Sequence, residues 1–322
     1  MNDNSILSTL EFTTICKPFL EKSGTILWAD KGFNEYNAHS FERKDEIIAS
    51  GKFPKDISKE ELDAQMLIGY ISYHWCKTKA IYDFSNTFLS LLNKTEDTEI
   101  FSDILKRLPF TDFVMSLPAG DTYNMMLVHL EFSCPGQTLF LLCPFCMNKE
   151  QTHVAYALCM SWCEDGKKLI ESFRYLKVQH GEELCPDKEY YLRLAVAAAY
   201  YLASKNAEIK ETTLPKNKRL TVVTKPGAKP KKVNVKTFDV GYVIGKSFEQ
   251  QMRSANATCA ESFSHCGSSH SVRPHVRRAH WHHYWVGEGR NRLEVRWIEP
   301  TLVLANSKNE ADVAIVRSVK GA

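Results

Sequence analysis

Four of the protein's eleven histidines lie within nine residues near the C-terminus. From Arg273 onward this stretch also carries arginines and aromatic residues, and its first acidic residue is Glu288. Imidazole exchanges protons near neutral pH, and guanidinium groups bind phosphate. This composition is therefore suited to binding or cleaving a phosphate-containing polymer. The residues concerned are His275, Arg277, Arg278, His280, His282 and His283.

Two of these histidines have a spacing that allows a specific reaction. On one face of an extended strand, His280 and His282 would stand about 7 Å apart. One could act as a base and the other as an acid across a ribose phosphate, while Arg296 stabilises the phosphorane. This is the hypothesis of a metal-independent endoribonuclease. The alternative is that His280, His282 and Tyr284 form a structural hydrogen-bond network, or a binding surface without chemistry.

These side chains need a rigid element to position them, and the sequence predicts a β-hairpin. Two aromatic-rich runs, 280–286 and 292–298, flank a glycine-containing connection. Because side chains alternate along a strand and a five-residue loop pairs residue 286 with residue 292, odd positions share one face. The predicted core face holds Trp281, Trp285, Leu293, Val295 and Trp297, with His283 as the one exception. The accessible face holds His280, His282, Tyr284, Arg292, Glu294 and Arg296.

The C-terminal pattern resembles a known family. The run RPHVRRAHWHHYW at 273–285, followed by Arg296-Trp297 and Pro300, is similar to the C-terminal signature of the "VA two" family of type V-A anti-CRISPR proteins. Where the family is expected to have glycine, this chain has Ala279, another small residue. Weaker similarities occur at Leu117-Pro118, at an apolar helix ending near Leu202, at Pro215 and from Gly241 to Gly245.

The resemblance implies an inhibitor of type V-A CRISPR immunity that is carried by a phage or another mobile element. Family members are understood to lower production of the Cas effector nuclease, by recognising the N-terminal segment of the nascent effector and promoting loss of its mRNA. The implied partners are this nascent peptide, together with the mRNA or the ribosome. The implied binding motif comprises His275, Arg277, Arg278, His280, His282, Tyr284 and Arg296.

Two alternatives to the synthesis-coupled inhibitor stay open. One is the endoribonuclease that uses His280, His282 and Arg296. The other is a general RNA- or DNA-binding module of a mobile element. No phosphate-binding loop, zinc-protease motif or nucleophile elbow occurs in the chain, so no conventional enzyme class is supported.

Charge is divided unevenly along the chain, although the net charge is only +3. From residue 216 onward there are 19 Lys and Arg against 8 Asp and Glu, whereas residues 1–215 contain 22 against 30. The basic third is the candidate for contact with RNA or the ribosome. Residues 216–236 contain no acid and predict a flexible linker or an extended β-arm; the alternative is a solvated connection without a partner. The predicted contacts are Lys216, Lys218, Arg219, Lys225, Lys229, Lys231 and Lys232.

Length and composition are typical of a soluble globular protein. A chain of 322 residues, 44% hydrophobic and 25% charged, can bury a sizeable core. The N-terminus lacks a basic segment followed by a long apolar run, so we expect no signal peptide. The most apolar predicted helix, 190–204, contains Arg193 and is shorter than the ~20 residues that a bilayer span requires. We expect the cytoplasm of the bacterial host and no membrane partner.

Cysteine spacing raises the question of a metal site. The ten cysteines include two closely spaced pairs, C-x2-C and C-x3-C, separated by twelve residues, which is close to zinc-site spacing. This set is Cys143, Cys146, Cys159 and Cys163. Its members lie in apolar runs, where a reduced cysteine behaves as a small hydrophobe. A second set matches no standard spacing and consists of Cys259, Cys266, His270 and His275. We expect neither a metal nor a cofactor.

Apolar periodicity predicts an α+β fold. Helices are predicted at 5–22, 58–73, 80–93, 99–108, 168–178, 190–204 and 243–254. Extended runs at 123–132, 138–143 and 153–162 predict an antiparallel meander. Isolated residues in the helical region, such as His74 and Trp75, are interpreted as core or surface residues.

The changes in composition suggest three parts. Residues 1–205 are predicted to form an acidic α+β domain, and residues 206–237 a basic linker or arm. Residues 238–322 are predicted to form a C-terminal module that contains a helix and the hairpin rich in histidine, arginine and tryptophan.

Overall fold

The computed structural model of the protein describes residues 71, 74–75, 77–118, 125–132, 137–147, 152–154, 156–165, 168–177, 188–213, 220–222, 231–233, 235–262 and 275–303. The first strands are β1 Ala80–Phe84, β2 Asp112–Ser116, β3 Met125–Glu131, β4 Gln137–Met147, β5 Thr152–Val154, β6 Tyr156–Asp165 and β7 Lys168–Lys177. The later strands are β8 Ile209–Thr212, β9 Leu220–Val222, β10 Lys231–Val233, β11 Lys236–Val240, β12 His275–Arg277, β13 His280–Val286, β14 Arg292–Ile298 and β15 Thr301–Val303. The helices are α1 Asn86–Asn93, α2 Ser102–Leu105, α3 Lys188–Leu202 and α4 Tyr242–Ser262.

One mixed sheet lies at the centre of the described chain. Nine of the described strands take part: β7, β6, β4, β3, β2, β1, β11 and β8 follow one another, and β5 pairs with β4. β1 is parallel to both β2 and β11, whereas the other neighbours are antiparallel. Helices together with this sheet confirm the predicted α+β class, and the succession β3, β4, β6 confirms the predicted meander.

The central position of β1 explains why its secondary structure was predicted wrongly. All five residues of Ala80–Phe84 are buried, as is typical of a parallel strand covered on both faces. A short apolar run of this kind cannot be distinguished from a buried helix by its periodicity. The predicted helix 80–93 therefore begins only after β1. Ser85 caps α1, because its side chain accepts a hydrogen bond from the backbone N–H of Phe88.

Two other predicted helices need correction. Residues 168–178 were predicted to be helical, but Lys168–Lys177 form β7, which pairs with β6 along its whole length. Leu169, Phe173 and Leu176 have helical spacing, and pairing with a long neighbouring strand outweighs it. The predicted helix 99–108 shortens to α2, because the backbone of Phe101 is extended.

The remaining predicted helices have different outcomes. α3 and α4 confirm the helices predicted at 190–204 and 243–254, and α4 continues to Ser262. The helix predicted at 5–22 lies outside the described residues, as does 58–73 apart from Ile71, which is helical. Within the part of the chain that is described, no helix is both long enough and apolar enough to cross a membrane.

An aromatic cluster joins the helices to the C-terminal hairpin. The ring of Phe88 on α1 lies 4.6 Å from that of Tyr201 on α3 and 5.2 Å from that of Trp297 on β14. The indole N–H of Trp297 donates to Thr95 Oγ1 at 3.0 Å. All three rings are buried, so residues on both sides of the predicted linker 206–237 share one core. The division into 1–205, 206–237 and 238–322 stays a prediction.

A glycine allows α4 to begin against this cluster. Gly241 has φ 68°, and a Cβ on it would lie 2.2 Å from Cγ of Phe88. The carboxylate of Glu208 then caps α4, since its oxygens accept from the backbone N–H groups of Val243 and Ile244 at 2.8 and 3.0 Å.

We predict that two hairpin tryptophans contribute very differently to stability. Trp297 is 1% exposed, whereas Trp285 is 51% exposed. Trp297→Ala should lower the free energy of unfolding by about 3–5 kcal/mol, the usual cost of emptying a core site of this size. Trp285→Ala is the matched control and should change it by less than about 1 kcal/mol. Urea denaturation measures both, and equal losses would contradict the assignment of faces.

Candidate functional site

The C-terminal hairpin forms with the predicted register. β13 and β14 pair along their whole length, with Val286 opposite Arg292. Gly287 and Gly289 have φ of 86° and 70°, which the turn requires and glycine tolerates. The predicted core face is confirmed for Leu293, Val295 and Trp297, which are buried. Trp285 corrects the prediction, because it lies at the turn end of β13 and is exposed.

The even face of the hairpin carries a stack of polar rings. His282 lies 4.2 Å from Tyr284 with an interplanar angle of 24°, and the guanidinium of Arg296 lies 5.2 Å from the Tyr284 ring centre. His282 and Arg296 face each other in the strand register and are both exposed. A flat ring flanked by a cation can stack on nucleobases and contact phosphate. His280 lies on the same face and is half-buried, so the three residues of the ribonuclease hypothesis do share a surface.

His283 points to the opposite side, where it holds the hairpin against the helices. Its Nε2 lies 2.9 Å from the hydroxyl of Tyr200 on α3, and its ring meets Phe101 edge-on at 5.1 Å. Burial lowers the pKa of His283. The nearby carboxylate of Glu99 acts in the opposite direction, and His282 lowers the pKa further. Burial also raises the pKa of Tyr200, so its hydroxyl keeps its proton. His283, the one histidine on the predicted core face, therefore has a specific structural partner in Tyr200.

Part of the C-terminal signature lines an open groove. The groove has a volume of about 1040 Å³ and lies between α1, α4 and the segments around β12 and β15. Its apolar lining includes Leu91, Phe248, Met252, Val276, Ala279 and Pro300. Its charged lining consists of Lys94, Glu96, Asp97, Arg193 and Arg278. The groove thus offers apolar contacts together with charges of both signs.

Two contacts join the elements that line the groove. The backbone N–H of Glu96 donates to the carbonyl of Ala279 at 3.2 Å, which joins the segment after α1 to the signature. Arg193 Nη2 lies 2.6 Å from Asp97 Oδ1, and this pair joins α3 to the same segment. Both partners of the ion pair are more than half exposed, so it contributes little to stability.

The other predicted binding residues are placed as follows. His275 and Arg277 belong to β12, which pairs with β15, and both Arg277 and Arg278 are exposed. Lys231 and Lys232 belong to β10, which pairs with β9, so the predicted β-arm contains an antiparallel pair. The other predicted basic contacts, Lys216, Lys218, Arg219, Lys225 and Lys229, lie outside the described residues. Contact with nucleic acid or the ribosome stays a prediction.

The strand register separates the first set of cysteines. Cys143 is buried on β4. Cys163 on β6 pairs with Gln137 on β4. Gln137 lies six residues before Cys143 on the same strand, so the two cysteines are about 20 Å apart along the strand. These two cysteines cannot share one metal ion in this fold. Of the second set, Cys266 and His270 lie outside the described residues.

A histidine and aspartate cluster at the sheet was not predicted. His74, Asp112 and His129 place one ligand atom each within 4.8 Å of one another. Burial, reinforced by His129, lowers the pKa of His74 to about 4. Burial opposes protonation of His129 too, but the hydrogen bond to Asp112 and the nearby carboxylate of Glu131 raise the pKa of His129. No local motif connects these residues, because only the pairing of β2 with β3 brings Asp112 and His129 together.

The chain has recognisable relatives. Residues 82–305 match the family described as AcrVA2-like, the anti-CRISPR type V subtype A2 family. A crystal structure of AcrVA2 shares 15% sequence identity and a TM-score of 0.36, with 85% of this chain and 97% of that chain covered. No match is found among curated proteins.

The family match defines the class of this protein, an anti-CRISPR protein that acts against type V-A systems. The match covers more than half of the chain and includes both the groove and the hairpin. The chain therefore belongs to the AcrVA2-like family. This confirms the resemblance that the C-terminal signature indicates.

The environment of His283 generates a prediction about pH. Because burial lowers its pKa, the folded protein prefers the neutral ring. Below the ordinary histidine pKa of about 6.5, the unfolded chain gains a proton that the folded protein takes up less readily. The free energy of unfolding therefore decreases as the pH is lowered. His283→Gln keeps an acceptor for Tyr200 and should lose less stability than the wild type between about pH 6.5 and pH 5. Urea denaturation across this range measures the difference, and identical pH dependence would contradict the prediction.

Proposed function

We propose that this protein lowers production of the type V-A Cas effector nuclease in the bacterial cytoplasm, by recognising the N-terminal segment of the nascent effector and promoting loss of its mRNA. The observation that carries the proposal is the groove in which Val276, Arg278 and Pro300 of the C-terminal signature meet α1 and α4. Family membership supplies the CRISPR system that is inhibited. The groove supplies a surface for the peptide.

The dimensions and lining of the groove suit a short peptide. Pockets for small ligands occupy about 300–1,000 Å³, and this open groove of about 1040 Å³ is slightly larger than that range. Phe248 and Met252 offer apolar contact on α4, while Asp97 and Arg278 offer charges of both signs. An extended or helical segment with a few apolar anchors is recognised by such a surface.

An apolar groove also favours recognition during synthesis. Apolar side chains are mostly buried once a protein has folded. On a nascent chain they are still exposed, so a groove that recognises them binds the effector before it folds. This reasoning supports action on the translating effector over action on the assembled enzyme.

The hairpin stack is the proposed contact with RNA. Tyr284, flanked by His282 and Arg296, presents aromatic and cationic groups on one surface. Stacking of one base on an aromatic side chain contributes about 1–3 kcal/mol. The basic C-terminal third would add phosphate contacts, which makes the binding of RNA dependent on salt.

A pair of reporters separates recognition of the peptide from recognition of RNA. In the first reporter, the opening codons of the effector are replaced by synonymous codons, so that the peptide is kept and the RNA changed. In the second, two compensating frameshifts keep nearly the same RNA and change the peptide. Co-expression with the protein should lower the mRNA of the first reporter and spare that of the second.

We predict that groove variants abolish this effect. Met252→Glu puts a charge among the apolar lining residues of the groove, and it should restore reporter mRNA and protein to the level without inhibitor. Val243→Glu puts the same charge on the same helix at a residue that is 55% exposed and does not line the groove, and it should leave inhibition intact. Circular dichroism of both variants checks that they fold. If Met252→Glu folds and still inhibits fully, the groove is not the peptide site.

Addition of the purified protein to pre-assembled effector and guide RNA tests the proposal from the other direction. Cleavage of target DNA should continue. If cleavage stops while both reporters keep their mRNA, the protein is a direct inhibitor of the enzyme and the synthesis-coupled proposal is wrong.

The shared surface of His280, His282 and Arg296 favours one second candidate, the metal-independent endoribonuclease. Purified protein should then cleave purified RNA in the presence of a chelator, and His282→Ala should abolish the cleavage. A general nucleic-acid-binding module would instead bind RNA without cleaving it, with steep salt dependence and regardless of the effector peptide.

A further inference from the structure

Away from the groove and the hairpin, we propose a binding site for a divalent transition-metal ion, Zn²⁺ in the first place, formed by His74, Asp112 and His129. The ligand atoms of these side chains lie within 4.8 Å of one another. Two imidazoles and one carboxylate are a ligand set that zinc accepts. This site is independent of the proposed function, because it involves none of the residues of the groove or the hairpin stack.

Strand pairing places two of the ligands side by side. Asp112 on β2 lies directly opposite His129 on β3, and residues in such a pair project to the same face of the sheet. Their side chains are nearly inaccessible, at 10% and 4% exposure, and a hydrogen bond joins His129 Nδ1 to Asp112 Oδ1. A metal ion here would be shielded from most of the solvent.

A helical segment brings the third ligand to the same carboxylate oxygen. His74 Nδ1 lies 4.0 Å from Asp112 Oδ1. The residues that follow His74 fix this segment, since Thr78 Oγ1 donates to the carbonyl of Asp112 at 2.6 Å and the indole of Trp75 donates to the carbonyl of Ala80 at 2.8 Å. The position of His74 is therefore set by the backbone of β1 and β2.

The distances are compatible with insertion of an ion. Two ligands that bind zinc tetrahedrally at about 2.1 Å are separated by roughly 3.4 Å. The contact of His129 with Asp112 is shorter than this, and the 4.0 Å between His74 and Asp112 is longer. Small rotations of the side chains would bring both distances to the required value. A hydrogen bond alone accounts for the His129 contact, but it does not explain why His74 presents its Nδ1 to the same oxygen.

Further polar groups support the ligands from outside. Glu131 Oε2 lies 3.7 Å from Nε2 of His129, the nitrogen that faces away from Asp112. Thr111 Oγ1 donates to Asp112 Oδ2 at 2.9 Å. A carboxylate on the far nitrogen of a ligating histidine fixes its orientation, and this arrangement recurs in metal sites. Three protein ligands leave a fourth position for water, and His74, with 23% of its side chain exposed, marks the open side.

Titration of chelator-treated full-length protein with Co²⁺ and Zn²⁺ tests the proposal. We expect one Co²⁺ per chain with the visible absorption of a four-coordinate ion, displaced by one Zn²⁺. Glu131→Gln should weaken binding by about 10- to 100-fold, because it disturbs only the orientation of His129. His74→Ala removes a ligand and should weaken binding further. This variant is the decisive one, because the side chain of His74 is the most exposed of the three and its removal should disturb the fold least.

Two histidines on the even face of the hairpin supply the control. His280→Ala with His282→Ala should leave the Co²⁺ spectrum, stoichiometry and affinity unchanged. Loss of binding in this double variant, or unchanged affinity in a folded His74→Ala variant, would overturn the proposal. Failure of the wild type to bind Co²⁺ or Zn²⁺ stoichiometrically would also overturn it, and the cluster would then be a hydrogen-bond network of the sheet.

Discussion

The contact of Phe88 with Trp297 is the interaction on which the rest of the described structure depends. It joins α1, which follows the central strand β1, to the second strand of the C-terminal hairpin. Tyr201 completes the cluster from α3, at ring distances of 4.6 Å from Phe88 and 5.8 Å from Trp297. Close packing allows little variation around such a cluster, and Gly241 shows the consequence, because no side chain would fit between α4 and Phe88.

The groove follows from this packing. On α1, Phe88 lies in the core, and Leu91, one turn later, lines the groove. α4 begins directly after Gly241, which lies against Phe88. The signature reaches the same place because β14 is anchored by Trp297, and Pro300 follows three residues later. Residues from distant parts of the chain therefore meet in one surface, and the aromatic cluster fixes their relative positions.

The features that could be predicted are those that local spacing determines. The hairpin register follows from a five-residue loop with glycines, and α3 follows from a long apolar helical pattern. β1 was predicted as a helix because a short apolar run has no unambiguous period, and β7 because Leu169, Phe173 and Leu176 have helical spacing. Strand alternation alone does not show that Trp285, at the turn end of β13, is exposed, and the meeting of His74, Asp112 and His129 depends on strand pairing and on a helix contact. Neither is encoded in local spacing.

β14 connects the core to both proposed binding surfaces. Adjacent residues project to opposite sides of a strand, so Trp297 enters the core while Arg296 faces the exposed stack. Pro300, a few residues further on, lines the groove. Under the proposed function, the peptide and RNA surfaces are thus connected by one short, well-packed segment. If a peptide in the groove changes the affinity for RNA, then RNA must change the affinity for the peptide by the same factor, because the coupling free energy is shared. Under the proposed function, such coupling would direct the protein to the effector's message, since a ribosome that makes the effector would present both ligands together.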